Sequence, residues 1–290
     1  KLEGVPLDSI TLGNGSNDLI EFSARAFLTN GDNALYFKHG FAIYPLAILA
    51  TGADLRELPV TENYHQDLTS VINFVDKKSK VVFIASPNNP TGSANTFSEI
   101  EAMLNDLPND LIVFLDQAYF EYIEDEQYKL PFDLIDKYQN LIISRSFSKA
   151  HGLAAYRLGY SISSQKIADY LNRVRQPFNV SSFALEAGIA SLNDKEHLRK
   201  SVDLNQREKN KLMQFFNKEN IEYLPTQGNF FSFSLDTESD ETFEAFLNEG
   251  IILRSLKSYN MDRFVRVSIG QEFENDAFIE AAKKIKGSRN

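Results

Sequence analysis

The chain has 290 residues, 43% of them apolar and 24% charged, with a net charge of −10 from 40 acidic and 30 basic side chains. That length carries a sizeable core and room for two domains or one large α/β unit. The acidic balance argues against a general nucleic-acid binder and a polybasic membrane anchor, and the lack of cysteine excludes a disulfide framework and a thiolate metal site.

In chain order, the first stretch of interest is SITLGNGSNDLIEF, 9–22, where Gly13, Gly15, Ser16 and Asn17 precede an amphipathic helical pattern over 19–28. A glycine-containing loop that opens a helix is an anion site, through its backbone N–H groups and the helix dipole. No Gly-Lys-Ser/Thr follows and G-x-G-x-x-G is absent, so this is neither a P-loop nor a dinucleotide fingerprint. Asn14 or Ser16 could equally serve as a simple N-cap. Four apolar runs, NALYF (33–37), KVVFIAS (80–86), DLIVFLD (110–116) and NLIISRS (140–146), predict strands covered on both faces. Helical patterns fall at 67–76 and 97–107, the second starting near Thr96 or Ser98. Strand–helix alternation implies an α/β domain with a mostly parallel central sheet flanked by helices, and ligands bind beyond the carboxyl ends of such strands.

From about residue 183 the style changes. SFALEAGIASL and LRKSVDLNQREKNKLMQFFNKEN read as long helix, NFFSFSL (229–235) and FVRVSI (264–269) as half-exposed strands, and ETFEAFLNEG and NDAFIEAAKKIKG as helices. DTESDE, 236–241, reads as a surface loop. This predicts a second, α+β region, with the boundary inside 180–200. His39, His65, His151 and His197 are scattered, so no metal site is expected. No apolar run reaches membrane-spanning length, the opening KLEGVPLDSITLG is no signal peptide, and a cysteine-free chain fits a reducing compartment; a cytoplasmic protein is expected.

The strand ends carry the chemistry. KVVFIAS runs into PNNPTG, where two prolines turn the chain and present Asn88 and Asn89; a purely structural turn explains the same residues. DLIVFLD ends on Asp116, an acid that is poorly solvated there unless it meets a cation, with Tyr119 three residues on. A strand-end aspartate capping the next segment is the plainer alternative. NLIISR runs into SFSKAHGLAAYRLGY, 146–160, with Lys149 between the hydroxyls of Ser146 and Ser148 and the cation of Arg157. Either this is a solvated basic turn, or the hydroxyls and guanidinium hold an anion beside a lysine nucleophile. The order along the chain is an anion cup, Phe41 and Tyr44, Asn89, Asp116 and Tyr119, Ser-x-Ser-Lys, then Arg157. An acid, a phosphate cradle, an aromatic plane and a lysine are together what pyridoxal phosphate (PLP) requires.

LGNGSNDLI, PNNPTG, DQAYFEY, SFSKAHGLAAYRLGY, VRQPFNVS, GIILRS and FVRVSIG, spread over residues 12–270, carry a resemblance. The chain resembles the fold-type I, PLP-dependent aminotransferases of the aspartate aminotransferase superfamily, and within them the histidinol-phosphate branch. The resemblance implies a large PLP-binding α/β domain over 1–185 and a small α+β C-terminal domain over 186–290. It implies that Lys149 binds the cofactor covalently and moves the proton, that Asp116 pairs with the pyridine nitrogen, and that Asn89 and Tyr119 hydrogen-bond the phenolate oxygen. Gly15, Ser16 and Asn17 would form the phosphate cup, completed by Ser146, Ser148 and Arg157. Phe41 would stack on the ring; many relatives have tyrosine there in a Pro-Thr-Tyr context, where this chain reads His39-Gly40-Phe41. Arg266 and Arg254 would bind the substrate's phosphate or carboxylate.

The implied reaction exchanges the amino group between L-histidinol phosphate and 2-oxoglutarate, giving imidazole-acetol phosphate and glutamate in histidine biosynthesis, in a homodimer. An aromatic amino acid aminotransferase, a threonine-phosphate decarboxylase-like lyase and an inactive PLP-binding protein are the rival readings. Family members begin several tens of residues earlier, with an arm holding an Asn-Glu-Asn-Pro-like and a Tyr-Pro-Asp segment. The arm covers the active site and reaches the partner's cofactor phosphate. Neither segment is in these 290 residues, so the arm is expected to be absent.

Overall fold

A computed structural model describes residues 4–130, 132 and 134–287. Its first part runs β1 (Ile10–Gly13), α1 (Ser16–Phe27), β2 (Asn33–Phe37), α2 (Ile43–Leu49), β3 (Asp54–Leu58), β4 (Ser79–Ala85), α3 (Phe97–Asp106), β5 (Ile112–Asp116), α4 (Leu134–Lys137), β6 (Leu141–Ser146), β7 (Gly159–Ser163) and α5 (Gln165–Val174). The rest comprises α6 (Ser182–Asn193), α7 (Lys195–Lys218), β8 (Glu222–Tyr223), β9 (Phe230–Ser234), α8 (Ser239–Asn248), β10 (Arg254–Ser255), β11 (Val265–Ser268) and α9 (Glu272–Gly287).

The first seven strands form one sheet in the order β1-β7-β6-β5-β4-β2-β3. Strands β3, β2, β4, β5 and β6 are parallel, and β7 runs against β6 and β1. The four apolar runs are its centre. Val82, Ile84, Val113 and Leu115 point to one face; Val81, Phe83, Phe114 and Ile142 point to the other, beneath α1, α2 and α5. Full burial of one such aliphatic side chain contributes about 1.5–3 kcal/mol, so these runs have no competing exposed state. The second sheet is antiparallel, β10-β11-β9-β8, and a phenylalanine-rich core joins it to α7, α8 and α9.

The structure departs from the sequence expectations where the local signal is weak. Strands β1, β3 and β7 and helices α2 and α5 were not anticipated. β3, with sequence DLREL, is a polar edge strand, and β7 follows directly on the lysine loop. Residues 67–76 hold a 3₁₀ helix, Leu68–Phe74, whose start the Asp67 carboxylate caps at Thr69 N. The long helix splits at Asp194, which ends α6 and accepts from His197 N to begin α7. Thr96 does start α3, in a capping box with Glu99. Residues 239–241 of the expected loop are the first turn of α8.

Strand β9 is buried along its whole length rather than half-exposed, because its second face lies against the larger sheet's loops. There the Ser232 hydroxyl donates to Pro90 O at 2.6 Å, and Phe230 meets Tyr119 edge-on at 5.3 Å. Among the described residues, no helix is long and apolar enough to cross a membrane.

Candidate active site

Strands β2, β4, β5 and β6 end at one edge of the sheet, and the segments that follow them enclose a cavity of about 490 Å³. Phe41, Asn89, Asp116, Tyr119, Lys149 and Arg157 line it, one or more from each strand end. Ser16, Asn17, Ser146 and Ser148 complete its wall. Residues separated by more than a hundred positions meet because parallel strands deliver all their carboxyl ends to the same side.

Asp116 is 6% exposed at the cavity floor. Its Oδ1 accepts from Ala118 N at 3.0 Å and Ser144 Oγ at 3.3 Å; its Oδ2 accepts from the Tyr44 hydroxyl at 3.1 Å. Burial pushes its pKa up, and these three donors with the charge of Lys149 oppose that rise without cancelling it. Tyr44 is itself buried, stacked on Phe83 at 5.4 Å and edge-on to Phe41 at 5.9 Å. Burial first, then the Asp116 carboxylate, hold its phenol well above the usual range, so it remains a donor. Sequence reasoning gave Tyr44 no role beyond the aromatic plane. The available signal was that a buried tyrosine needs a hydroxyl partner.

At the other end of the cavity, Gly15 precedes α1 with φ +82, and no side chain caps the helix there. A Cβ on Gly15 would collide with the Arg157 guanidinium. Arg157 is also left-handed (φ 57) and donates from Nη1 to Ser148 Oγ at 3.3 Å and Ala154 O at 3.0 Å. Ser146 Oγ accepts from Ser148 N at 3.1 Å. Asn17 lines the cavity, but its amide is turned to Glu21 Oε1 at 3.1 Å. A guanidinium, hydroxyls and a helix N-terminus therefore surround one small volume, a combination suited to a phosphate.

Lys149 Nζ lies 5.0 Å from the centre of the Tyr119 ring. Arg254 and Arg266 do not line the cavity. Arg266 reaches it through Asn89, whose Oδ1 accepts from Arg266 Nη1, and its guanidinium lies 5.2 Å over Phe230. Arg254 is exposed and pairs in register with Arg266, which is in turn opposite Ser232. Directly opposed residues share a sheet face. Arg254, Arg266 and Ser232 thus form a row across the smaller sheet, on the face that meets Asn89 and Pro90.

Comparison with known proteins gives the same picture. Residues 2–281 match the family model for aminotransferase class I and II. Histidinol-phosphate aminotransferase 2 of Pseudomonas fluorescens is 43% identical over 282 residues, covering 97% of this chain and 76% of that protein. Histidinol-phosphate aminotransferase 2 of Haemophilus influenzae is also 43% identical over 282 residues, covering 97% of this chain and 77% of that protein. The crystal structure of histidinol-phosphate aminotransferase from Sinorhizobium meliloti in complex with pyridoxal-5'-phosphate superposes with a TM-score of 0.90 at 23% identity, over 98% of this chain and 78% of that one. Motifs, sheet order and relatives agree, and the chain belongs to the class I and II aminotransferase family, on its histidinol-phosphate branch.

Proposed function

We propose that the chain is a PLP-dependent transaminase that exchanges the amino group between L-histidinol phosphate and 2-oxoglutarate, a step of histidine biosynthesis. The observation that carries the reading is one cavity in which Asp116, Lys149 and Arg157 stand together beyond the carboxyl ends of the parallel strands. The cavity suits PLP on its own geometry. A Cβ at Gly15 would fill the space beside Arg157, Asp116 offers a buried carboxylate at the floor, and Phe41 offers a flat apolar wall.

Bound there, PLP supplies the electron sink that makes the substrate's Cα proton removable. Lys149 would anchor it and act as the general base, its Nζ taking the proton from Cα of the amine donor in one half-reaction and delivering a proton to Cα of the new amino acid in the other. Asp116 would pair with the ring nitrogen, and a positive charge there would favour the carboxylate form that burial alone disfavours. Gly15, Ser16, Asn17, Ser146, Ser148 and Arg157 hold the phosphate. Asn89 Oδ1 accepts from Arg266 Nη1, so its Nδ2 would be the atom that donates, with Tyr119, to the ring's phenolate oxygen. Arg254 and Arg266 stand directly opposite each other in the sheet, so their side chains leave the same face, and an anion bound on that face would meet two cations. The pairing of Arg254 with Arg266 therefore supports a subsite for the substrate's phosphate or carboxylate.

Residues 1–185 form the cofactor-binding domain and 186–290 the smaller domain in this proposal, which also includes a cytoplasmic homodimer. The test is the visible absorption of the protein with added PLP, before and after histidinol phosphate. Conversion of the bound band to the pyridoxamine form, with glutamate formed on addition of 2-oxoglutarate, is expected. Conversion by phenylalanine but not histidinol phosphate would favour the aromatic rival. Release of CO₂ from threonine phosphate would favour the lyase.

A further inference from the structure

His39 stands two residues before Phe41, in the left-handed region at φ 56, and is 8% exposed. Its Nδ1 lies 2.5 Å from Tyr259 O. A carbonyl oxygen only accepts, so Nδ1 carries a proton. The ring is edge-on to Tyr64 at 5.2 Å, and Tyr64 is edge-on to Phe264 at 5.4 Å. Tyr259 ends the short 3₁₀ turn Lys257–Tyr259, between β10 with Arg254 and β11 with Arg266. The imidazole therefore grips the connection between the two arginine strands.

The backbone of His39 is held from the other side. Its carbonyl accepts from Asn88 Nδ2 at 3.1 Å, and the same amide donates to Thr91 Oγ1 at 2.9 Å. The neighbouring Asn89 is the acceptor for Arg266. Residue 39 thus lies where three parts converge: the segment carrying Phe41, the PNNPTG turn, and the strand connection of the smaller sheet. Two further hydrogen bonds between the turn and the smaller sheet, Ser232 Oγ to Pro90 O and Gln227 N to Gly92 O, act near β9, whereas His39 and Tyr64 reach Tyr259 and Phe264.

We propose that His39 is a positioning residue, which sets the reach between the ring-covering Phe41 and the anion-binding pair Arg254 and Arg266 through its Nδ1–H bond to Tyr259 O. The proposal rests on the aminotransferase reading for its substrate consequence, but the bond itself can be tested without turnover. Burial lowers the pKa of the ring. The Nδ1 proton is present in both the neutral and the charged form, so the bond does not switch with pH.

The experiment compares H39G and H39N with the wild-type full chain, with and without PLP. Glycine adopts φ 56 without cost and removes the donor, whereas asparagine tolerates that conformation and presents Nδ2–H near the place of Nδ1–H. One neutral hydrogen bond predicts effects of about three- to tenfold. In H39G, amide exchange over 256–264 accelerates by that factor, and KM for histidinol phosphate and for glutamate rises similarly, with a smaller change in kcat. H39N stays near wild type in both. Unchanged exchange in H39G, equal behaviour of H39G and H39N, or altered exchange with unaltered KM would each overturn the assignment. Should the wild type fail to turn over histidinol phosphate, the substrate reading falls, and the exchange contrast still decides whether His39 holds the strand connection.

Discussion

The Tyr44 hydroxyl donates to Asp116 Oδ2 at 3.1 Å, across 72 positions of sequence, and both residues are buried. Three donors and Lys149 compete with burial for the charge state of Asp116, and burial prevails. Removing one donor therefore moves the acid in a direction that can be worked out.

Tyr44→Phe deletes the donor and leaves Oδ2 without it. Loss of a bond that favours the carboxylate raises the pKa of Asp116 further. The anionic form then survives only at higher pH, so the acid limb of the kcat/KM profile shifts upward. The unsatisfied oxygen costs about 1–3 kcal/mol, read as a lower urea midpoint and weaker PLP retention. A profile that superposes on wild type would remove Tyr44 from the site.

Glu121 gives a stability prediction with its own pH window. Burial pushes it up from 4.5 to about 7, against the attraction of Arg145. A carboxyl whose folded pKa is raised binds more protons folded than unfolded between those values. Stability is therefore greatest below about 4.5, declines as pH rises through about 7, and then levels. The decline from this group is at most about 3 kcal/mol. Glu121→Gln removes it, so the variant should gain on wild type between pH 5 and pH 8 in urea unfolding. Parallel pH dependences of the two proteins would refute this.

Gly15→Ala strains the backbone at φ +82 and drives a methyl group into the Arg157 guanidinium. That backbone, at φ 82 and ψ 166, belongs to a region essentially confined to glycine and costs alanine about 1–3 kcal/mol, and Arg157 must move from Ser148. The strain lowers stability, while the displaced guanidinium costs the phosphate a charged hydrogen bond, so PLP affinity should fall at least about tenfold, measured by fluorescence titration, while pyridoxal without its phosphate loses much less. Equal loss for both ligands would place the damage outside the phosphate end.

The two arginines should separate by half-reaction. Arg266 is tied to Asn89 at the cavity, whereas Arg254 is exposed one strand farther out. Arg266→Ala is expected to slow both half-reactions, and Arg254→Ala chiefly to raise KM for histidinol phosphate. Single-turnover rates with each amine measure this. Equal damage from both changes in the glutamate half-reaction would contradict the division of roles.

The central strands were readable because a strand covered on both faces is a continuous apolar run, a property of consecutive residues. Asp116, Lys149 and Arg157 were readable for a related reason: each follows such a run, and carboxyl ends of parallel strands face a common site. The edge strand β3 was not readable, since DLREL lacks that run, and neither was the break at Asp194, which depends on one capping carboxylate inside a helical pattern.

By itself, then, the amino-acid order determined an α/β protein with an acid, a lysine and a glycine-containing loop at its strand ends, because hydrophobic period and turn chemistry are local. Only the tertiary structure decided which groups hold those residues in place. Tyr44 meets Asp116, Arg266 meets Asn89 across 177 positions, and His39 meets Tyr259 across 220. Such bonds form between loops and sheets brought together by packing, and no spacing within the chain encodes them.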